Sequence, residues 1–88
     1  MRLTYDPKKR ANTLAHRRLD FEDAFEVFGG DFYEVIDDRH DYGEMRWQTV
    51  GWLDGVMVVW TPRGDARHII SLRKCNERER ERYVQRFG

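Results

Sequence analysis

The sequence predicts an α+β fold: an antiparallel sheet of about four to five strands, with helices packed on one of its faces. Two observations lead to this prediction. Apolar residues recur at helical spacing before the Gly29-Gly30 pair and again after Asn76, whereas apolar and polar residues alternate between Phe32 and Lys74. The predicted order is β-α-α-β-β-β-β-α, with two helices near the N-terminus, one at the C-terminus, and one domain over residues 1–88.

The N-terminal elements follow from helix-start signals. "LTY" predicts a short first strand, and Asp6-Pro7 begins a helix because Asp accepts hydrogen bonds from the free N–H groups of a first turn, where Pro also fits. This helix continues to about Arg17. The segment "LDFEDAFEVFGG" repeats the pattern with Asp20 as its cap, and its glycine pair ends the second helix.

Four strands and a last helix follow the glycines. The strands are predicted at "FYEVID", "MRWQTVGW", "VMVVWT" and "RHIISLRK". Residues 53–56, Leu-Asp-Gly-Val, join the second and third of them, and Asp-Gly is a strong hairpin signal, so these two strands should be antiparallel. "NERERERYVQRF" is helical, with Asn76 as cap and Glu79 completing a capping box. Tyr83 and Phe87, one turn apart, are expected to dock this helix on the domain.

The formal net charge of zero conceals a segregation of charge along the chain. Residues 1–18 carry six basic and one acidic side chain, residues 19–54 carry two and eleven, and residues 55–88 carry eight and four. Basic surface from the two ends could therefore attract a polyanion. No apolar run is long enough for a membrane helix and the N-terminus lacks a signal-peptide pattern, so we expect a cytoplasmic protein. A lone Cys75 excludes an internal disulfide and a cysteine-based zinc site.

The last predicted strand places arginines on one face of the sheet. Alternation gives a first face with two arginines and a serine: Arg67, Ile69, Ser71 and Arg73. The second face has aliphatics in its middle, as a core requires: His68, Ile70, Leu72 and Lys74. Six residues span about 20 Å of strand, so the two arginines would flank a groove and bind different phosphates of a nucleic-acid backbone. The alternative is that surface arginines pair with the acidic segment.

Two other groups of residues are candidates for chemistry. The segment "DDRHDYGE", residues 37–44, collects ligand types suited to magnesium, but its spacing matches no metal loop, and an acidic solvated loop is the alternative. Three scattered histidines, His16, His40 and His68, could each serve as a general base because the pKa of histidine lies near neutrality. His68 is the one expected at the margin of the core.

The chain resembles the BrnT family of small toxins from bacterial toxin–antitoxin pairs. The resemblance rests on "GWLDGVMVVWTPRGDARHIISLRKCNERERERY", and also on "YDPKKR", which is similar to the family's "WDPxK" opening, on "LDFEDAFEVF", and on "DDRHDYGEMR". It covers nearly the whole chain. One difference concerns the "KHG" that many members have between the first two helices, where this chain has His16-Arg17-Arg18.

The resemblance implies a RelE-like ribonuclease fold and a function. Such a toxin cleaves RNA without a metal or other cofactor, inhibits translation, and is neutralised by a BrnA-like antitoxin that links the complex to promoter DNA. Arg67, Ser71 and Arg73 fall on the family's "RxIISxR" segment. The implied catalytic residues are Arg46, Arg67, Arg73 and Glu79. We predict four RNA-binding residues: Lys9, Ser71, Lys74 and Tyr83.

The mechanism we expect is attack of a ribose 2′-OH on the adjacent phosphate, with Arg67 and Arg73 stabilising charge on the phosphates and Arg73 at the cleaved bond. The sequence does not choose among three general bases: Glu44, His68 and Glu79. It also leaves open a non-catalytic module that binds nucleic acid or protein through the same basic face, and a metal-dependent hydrolase that uses the acidic loop.

Overall fold

The computed structural model describes residues 1–52 and 55–87, with side chains described up to residue 85 in the last helix. These residues form five strands, three α-helices and one 3-10 turn. They are β1 (Arg2–Tyr5), α1 (Pro7–Arg17), a 3-10 turn (Phe21–Asp23), α2 (Ala24–Gly29), β2 (Phe32–Ile36), β3 (Trp47–Gly51), β4 (Val56–Arg63), β5 (Ala66–Lys74) and α3 (Glu77–Phe87). The α+β class is confirmed. The second predicted helix is a 3-10 turn followed by a short helix, so the predicted order is matched only in part.

The sheet is mixed, which corrects the predicted antiparallel sheet. Its strand order is β1-β5-β4-β3-β2, and the neighbouring pairs among β2, β3, β4 and β5 are antiparallel. β1 instead pairs in parallel with β5, with Thr4 opposite His68 and Tyr5 opposite Ile69. A parallel pair needs a long connection, which the intervening elements supply. The alternation of apolar and polar residues within a strand does not indicate whether a partner strand far along the chain runs parallel or antiparallel to it.

Helices cover both faces of the sheet, not one as predicted. The α2 face is the side that packs against the 3-10 turn and α2, through a cluster that contains Phe21, Ala24, Val27, Val58, Trp60, Ile69 and Leu72. The α3 face is the opposite side, which packs against Tyr83 of α3 through Val50, Met57 and Val59, with Ile70 partly buried beside them. The last helix therefore crosses the side of the sheet that the N-terminal helices leave open.

A β-bulge in β5 changes which side chains share a face. Val59 pairs with Ser71, but the next residue, Trp60, pairs with Ile69, so Ile70 is an extra residue in β5. Ile69 and Leu72 both reach the α2 face as a result. Because the alternation shifts at the bulge, Arg67 lies on the α2 face and Arg73 on the α3 face. The prediction that these arginines share one face is therefore wrong.

The predicted helix starts are confirmed by their hydrogen bonds. The Asp6 side chain accepts from the N–H of Lys8, and Asp20 forms a capping box with Asp23. Asn76 and Glu79 each accept from the other's backbone N–H at 2.9 Å. Leu53 and Asp54 of the predicted hairpin turn lie outside the described residues, but the antiparallel pairing of β3 with β4 is confirmed.

The sequence predicts that the chain has no membrane-spanning helix, and the helices of the structure can be compared with that prediction. Among residues 1–52 and 55–87, no helix is long and apolar enough to span a bilayer.

Candidate active site

Arg73 and Glu79 form a bidentate ion pair between β5 and α3. Nη1 and Nη2 of Arg73 each donate to one carboxylate oxygen of Glu79 at 2.7 Å. The two side chains are 28% and 21% exposed, so the pair is partly withdrawn from water. Planar guanidinium and carboxylate groups match in this geometry, which fixes orientation as well as adding energy. The capping box of α3 holds Glu79 from the other side, because Oε1 also accepts from the N–H of Asn76.

The ion pair determines the charge state of the site. The Arg73 guanidinium, which donates both hydrogen bonds, lowers the pKa of Glu79 to about 2. The bond to Glu79 likewise raises the pKa of Arg73 above its ordinary value. The charge of Arg39, from the loop after β2, acts on both groups. Glu79 is thus ionised near neutral pH and is a weak base, with both of its oxygens engaged by donors.

Ser71 lies on the α3 face with Arg73. It pairs with Val59 of β4, and Arg73 pairs with Met57, and both of these β4 residues belong to the cluster under α3. Ser71 is half-buried. The structure therefore brings together three of the predicted site residues: Ser71, Arg73 and Glu79.

Arg67 occupies a different environment, on the α2 face. Its guanidinium carbon lies 4.1 Å from the centroid of the Phe28 ring and 5.0 Å from that of Trp60. Nη1 contacts the Met1 sulfur at 2.8 Å. Within the described parts of the chain, Arg67 has no carboxylate partner. Its positive charge is held by aromatic rings instead, a favourable arrangement for arginine.

Lys74 is also separated from Arg73 by the sheet. Its side chain is exposed and lines a shallow pocket on the α2 side, which Val27 and Val56 also line, together with the acidic Asp23 and Glu26. Its predicted RNA contact would therefore have to be made away from Ser71 and Arg73.

Arg46 lies directly before β3 and contacts side chains of the loop that joins β2 to β3. Its guanidinium carbon lies 3.9 Å from the centroid of the Tyr42 ring, and its Nε donates to Glu44 at 3.2 Å. Glu44 also approaches Arg63 of β4 at 3.8 Å. The predicted base Glu44 is thus already engaged by two arginines.

Tyr83 and Lys9 have opposite degrees of exposure. Tyr83 is 4% exposed and forms part of the core under α3, so its ring is not accessible to RNA while α3 is docked. The burial of Tyr83 confirms its predicted role in docking α3 on the domain. Phe87 is predicted to have the same role, but its side chain lies outside the described residues. Lys9 is exposed on α1.

His68 lies at the margin of the core, as expected. Its Nδ1 is 2.8 Å from the Thr4 hydroxyl of β1. Burial lowers its pKa, and the charge of Arg63 contributes in the same direction, ahead of an opposing effect from Glu44 and smaller effects of Lys9 and Asp6. Thr4 and Arg63 are site neighbours that the sequence did not identify, because only the sheet pairing brings them to His68.

The acidic loop is organised by arginine. The Asp37 carboxylate is fully buried and accepts from Nε and Nη2 of Arg39 at 2.7 and 2.8 Å, which lowers its pKa. In residues 1–52 and 55–87, no three His, Cys, Asp or Glu side chains are grouped so that they could hold a metal ion. Asp37, the buried member of the proposed magnesium set, is thus occupied by a guanidinium.

Comparison with known proteins connects this geometry to a family. No curated protein matches the chain well enough to count as a relative. Residues 5–79, which run from the last residue of β1 to the start of α3, match the family model described as the ribonuclease toxin BrnT of type II toxin–antitoxin systems. The match includes Ser71, Arg73 and Glu79, and the chain therefore belongs to the BrnT family of ribonuclease toxins.

Proposed function

We propose that this protein is an endoribonuclease toxin that cleaves RNA without a metal ion and so inhibits translation, with the α3 face as its RNA-binding surface. The observation that carries the proposal is the presence of Arg73, oriented by Glu79, beside Ser71 on the same face. A fixed guanidinium and a hydroxyl suit the oxygens of a phosphodiester. Membership of a ribonuclease toxin family supports the same activity.

In this proposal Arg73 binds a phosphate of the RNA and Glu79 holds Arg73 in place. Both Nη atoms of Arg73 donate to Glu79, and Nη1 also donates to the carbonyl of Lys74 at 3.4 Å. The Nε N–H and one N–H of Nη2 are left for a phosphate. Preorganised donors of this kind hold the RNA backbone in a fixed position relative to the reacting groups, which supports cleavage through orientation. Since Glu79 has a pKa of about 2, it acts as a positioning residue and not as the general base.

The proposed partner is a BrnA-like antitoxin that covers the α3 face and carries the DNA-binding part of the complex. A covering segment with negative charge would match Arg73 and the other basic side chains on and around α3. The affinity of this complex should fall as salt concentration rises. A titration between about 50 and 500 mM NaCl without such a fall would contradict the electrostatic part of the proposal.

The decisive experiment is RNA cleavage by purified protein in the presence of EDTA. Arg73→Lys keeps the positive charge but removes the bidentate geometry, and we expect it to lower kcat/KM by about 10²-fold or more. Arg78→Ala, which removes an exposed arginine from the same helix that carries Glu79, is the matched control and should stay within about threefold of the wild type. Circular dichroism checks that each variant is folded.

Three outcomes separate the alternatives. Cleavage in EDTA that is lost in Arg73→Lys supports the proposal. RNA binding without cleavage would instead support the non-catalytic binding module. Activity abolished by EDTA and restored by magnesium would overturn the metal-independent mechanism. Growth arrest on overexpression, relieved by coexpression of the neighbouring open reading frame, would support the toxin and antitoxin roles.

A further inference from the structure

His68 lies on the α3 face, the same side of the sheet as Ser71 and Arg73. It is paired with Thr61 in the register of β4 and β5, and its neighbour Ile69 points to the α2 face. His68 is half-buried, and its strand β5 lies next to the edge strand β1. The α3 face thus carries a titratable imidazole in addition to Ser71 and Arg73.

The parallel pairing of β1 with β5 fixes the orientation of the imidazole. It places Thr4 directly opposite His68, and the Thr4 hydroxyl lies 2.8 Å from Nδ1. Nε2 forms no hydrogen bond to any residue that the structure describes. When Nδ1–H donates to the Thr4 oxygen, Nε2 carries the lone pair and is available to accept a proton.

The charges around His68 suit a base next to a phosphate. Arg63 of β4 and Lys9 of α1 contribute positive charge. Glu44, in the loop between β2 and β3, and Asp6, at the start of α1, contribute negative charge. Burial, the largest influence, favours the neutral imidazole. The site therefore combines a neutral base near pH 7 with two cationic side chains that could hold the anionic substrate.

The other candidate bases are less suitable. Glu79 is held by Arg73 and by the N–H of Asn76. Glu44 is engaged by Arg46 and Arg63. Among the histidines, His16 hydrogen bonds to the carbonyl of Asn12 on its own helix, and His40 packs against Tyr42 in the acidic loop.

We propose that His68 is the general base of the RNA cleavage proposed above, oriented by Thr4 as a positioning residue; this role rests on the proposed function. Nε2 takes the proton of a ribose 2′-OH, the 2′-oxygen forms a bond to the adjacent phosphorus, and the bond from phosphorus to the 5′-oxygen breaks. Water supplies the proton for the leaving 5′-oxygen. The products are a 2′,3′-cyclic phosphate and a 5′-hydroxyl.

This assignment also places the cleaved bond. His68 and Arg73 pair with Thr61 and Met57 of β4, which are four residues apart, or about 13 Å along a strand, so they serve different phosphates. Arg63, which pairs with Ala66 two residues before His68, and Lys9, whose charge acts on His68, bind the phosphate that is attacked. Arg73 and Ser71 then bind a flanking phosphate, which moves the cleaved bond away from the position expected from the sequence.

The test compares pH profiles of cleavage of a short RNA between about pH 4.5 and 8. The wild type should show a rate that rises with pH and levels off, because the base acts only when neutral, with the rise below the ordinary histidine pKa of about 6.5. His68→Gln should lower kcat by about 10²- to 10⁴-fold with little change in KM and should flatten the rise. Thr4→Val should give an intermediate loss of kcat. His16→Gln and His40→Gln are matched controls that should keep the wild-type profile.

A second variant keeps the proposal testable if His68→Gln does not fold. His68→Ala should regain activity in proportion to added imidazole, which a purely structural role would not produce. Cleavage by His68→Gln at the wild-type rate with an unchanged profile would overturn the role of His68 and leave the proposed function intact. A wild type that cleaves no RNA at any pH would overturn the proposed function and this role with it.

Discussion

Two arginines of one strand carry the same charge but have different neighbours. Arg73 is paired with a carboxylate, while Arg67 packs against aromatic rings. The difference originates in Ile70, whose insertion as a bulge residue separates the arginines between the two faces. At the scale of single residues, the one extra backbone position between Arg67 and Arg73 therefore determines which neighbours each guanidinium has.

The pair of Arg73 and Glu79 makes stability depend on pH. Because the folded-state pKa of Glu79 is about 2 against an ordinary value near 4.5, its stabilisation is complete above 4.5 and is lost as pH falls toward 2. We expect Glu79→Gln to lower the free energy of unfolding at pH 7 by about 1 to 2 kcal/mol, after allowance for solvent screening. Urea unfolding of both proteins from pH 7 to about 2.5 measures the difference.

The control for this prediction is Glu81→Gln, an exposed residue of the same helix. It should change the free energy of unfolding by less than about 0.5 kcal/mol at every pH. A difference between wild type and Glu79→Gln that stayed constant down to pH 2.5 would show that the charge of Glu79 is not the source of stability.

Replacing Arg67 with alanine tests the role of its aromatic contacts. We expect a loss of about 1 kcal/mol in the free energy of unfolding, since the contacts with Phe28 and Trp60 are removed. The cleavage rate of the folded variant should remain within about threefold of the wild type because Arg67 lies on the α2 face. A fall in kcat comparable to that of Arg73→Lys would instead restore Arg67 to the catalytic set predicted from the sequence.

At the scale of elements, local signals could be predicted and pairings between distant segments could not. The caps at Asp6, Asp20 and Asn76 involve residues a few positions apart, so the sequence contains all their partners. The bulge at Ile70 depends on how β5 packs against β4. The parallel pairing of β1 and the docking of α3 likewise depend on contacts far along the chain. The sequence accordingly selected Arg73 and Glu79, which form an ion pair in the structure, but assigned Arg67 to the same face as Arg73.

Gly55 controls how α3 docks on the sheet. It has a φ of +61°, and a Cβ added there would lie 3.0 Å from the hydroxyl of Tyr83. We expect Gly55→Ala to destabilise the protein by roughly 2 kcal/mol, through backbone strain and displacement of Tyr83. Gly43→Ala is the control, because Gly43 has a similar φ of +69° and nothing within 4 Å of an added Cβ.

The difference between these glycine variants in urea unfolding isolates the contact with Tyr83 from the backbone strain that both share. Equal losses of stability in the two variants would mean that Tyr83 adapts without cost. In that case α3 would be less firmly docked than its buried tyrosine implies.

At the scale of the whole molecule, charge is distributed unevenly although its sum is zero. The acidic segment, residues 19–54, supplies α2, β2 and β3, while the basic end segments supply β1, α1, β5 and α3. β1 and β5 are neighbours at one edge of the sheet, and β2 forms the other edge. The basic segments therefore supply the β1 edge and the acidic segment supplies the β2 edge. The folded molecule can thus orient a polyanion along β5 despite its zero net charge.

This distribution predicts how RNA binding responds to salt. For single strands, the logarithm of the binding constant falls with the logarithm of salt concentration with a slope of about −0.7 for each phosphate neutralised. Arg73→Ala should therefore weaken the slope by about 0.7, whereas Arg67→Ala on the opposite face should leave it unchanged. Fluorescence anisotropy with a short RNA from about 50 to 300 mM NaCl measures both slopes, in a variant or at a pH that prevents cleavage. Equal changes for the two variants would mean that RNA contacts both faces of the sheet.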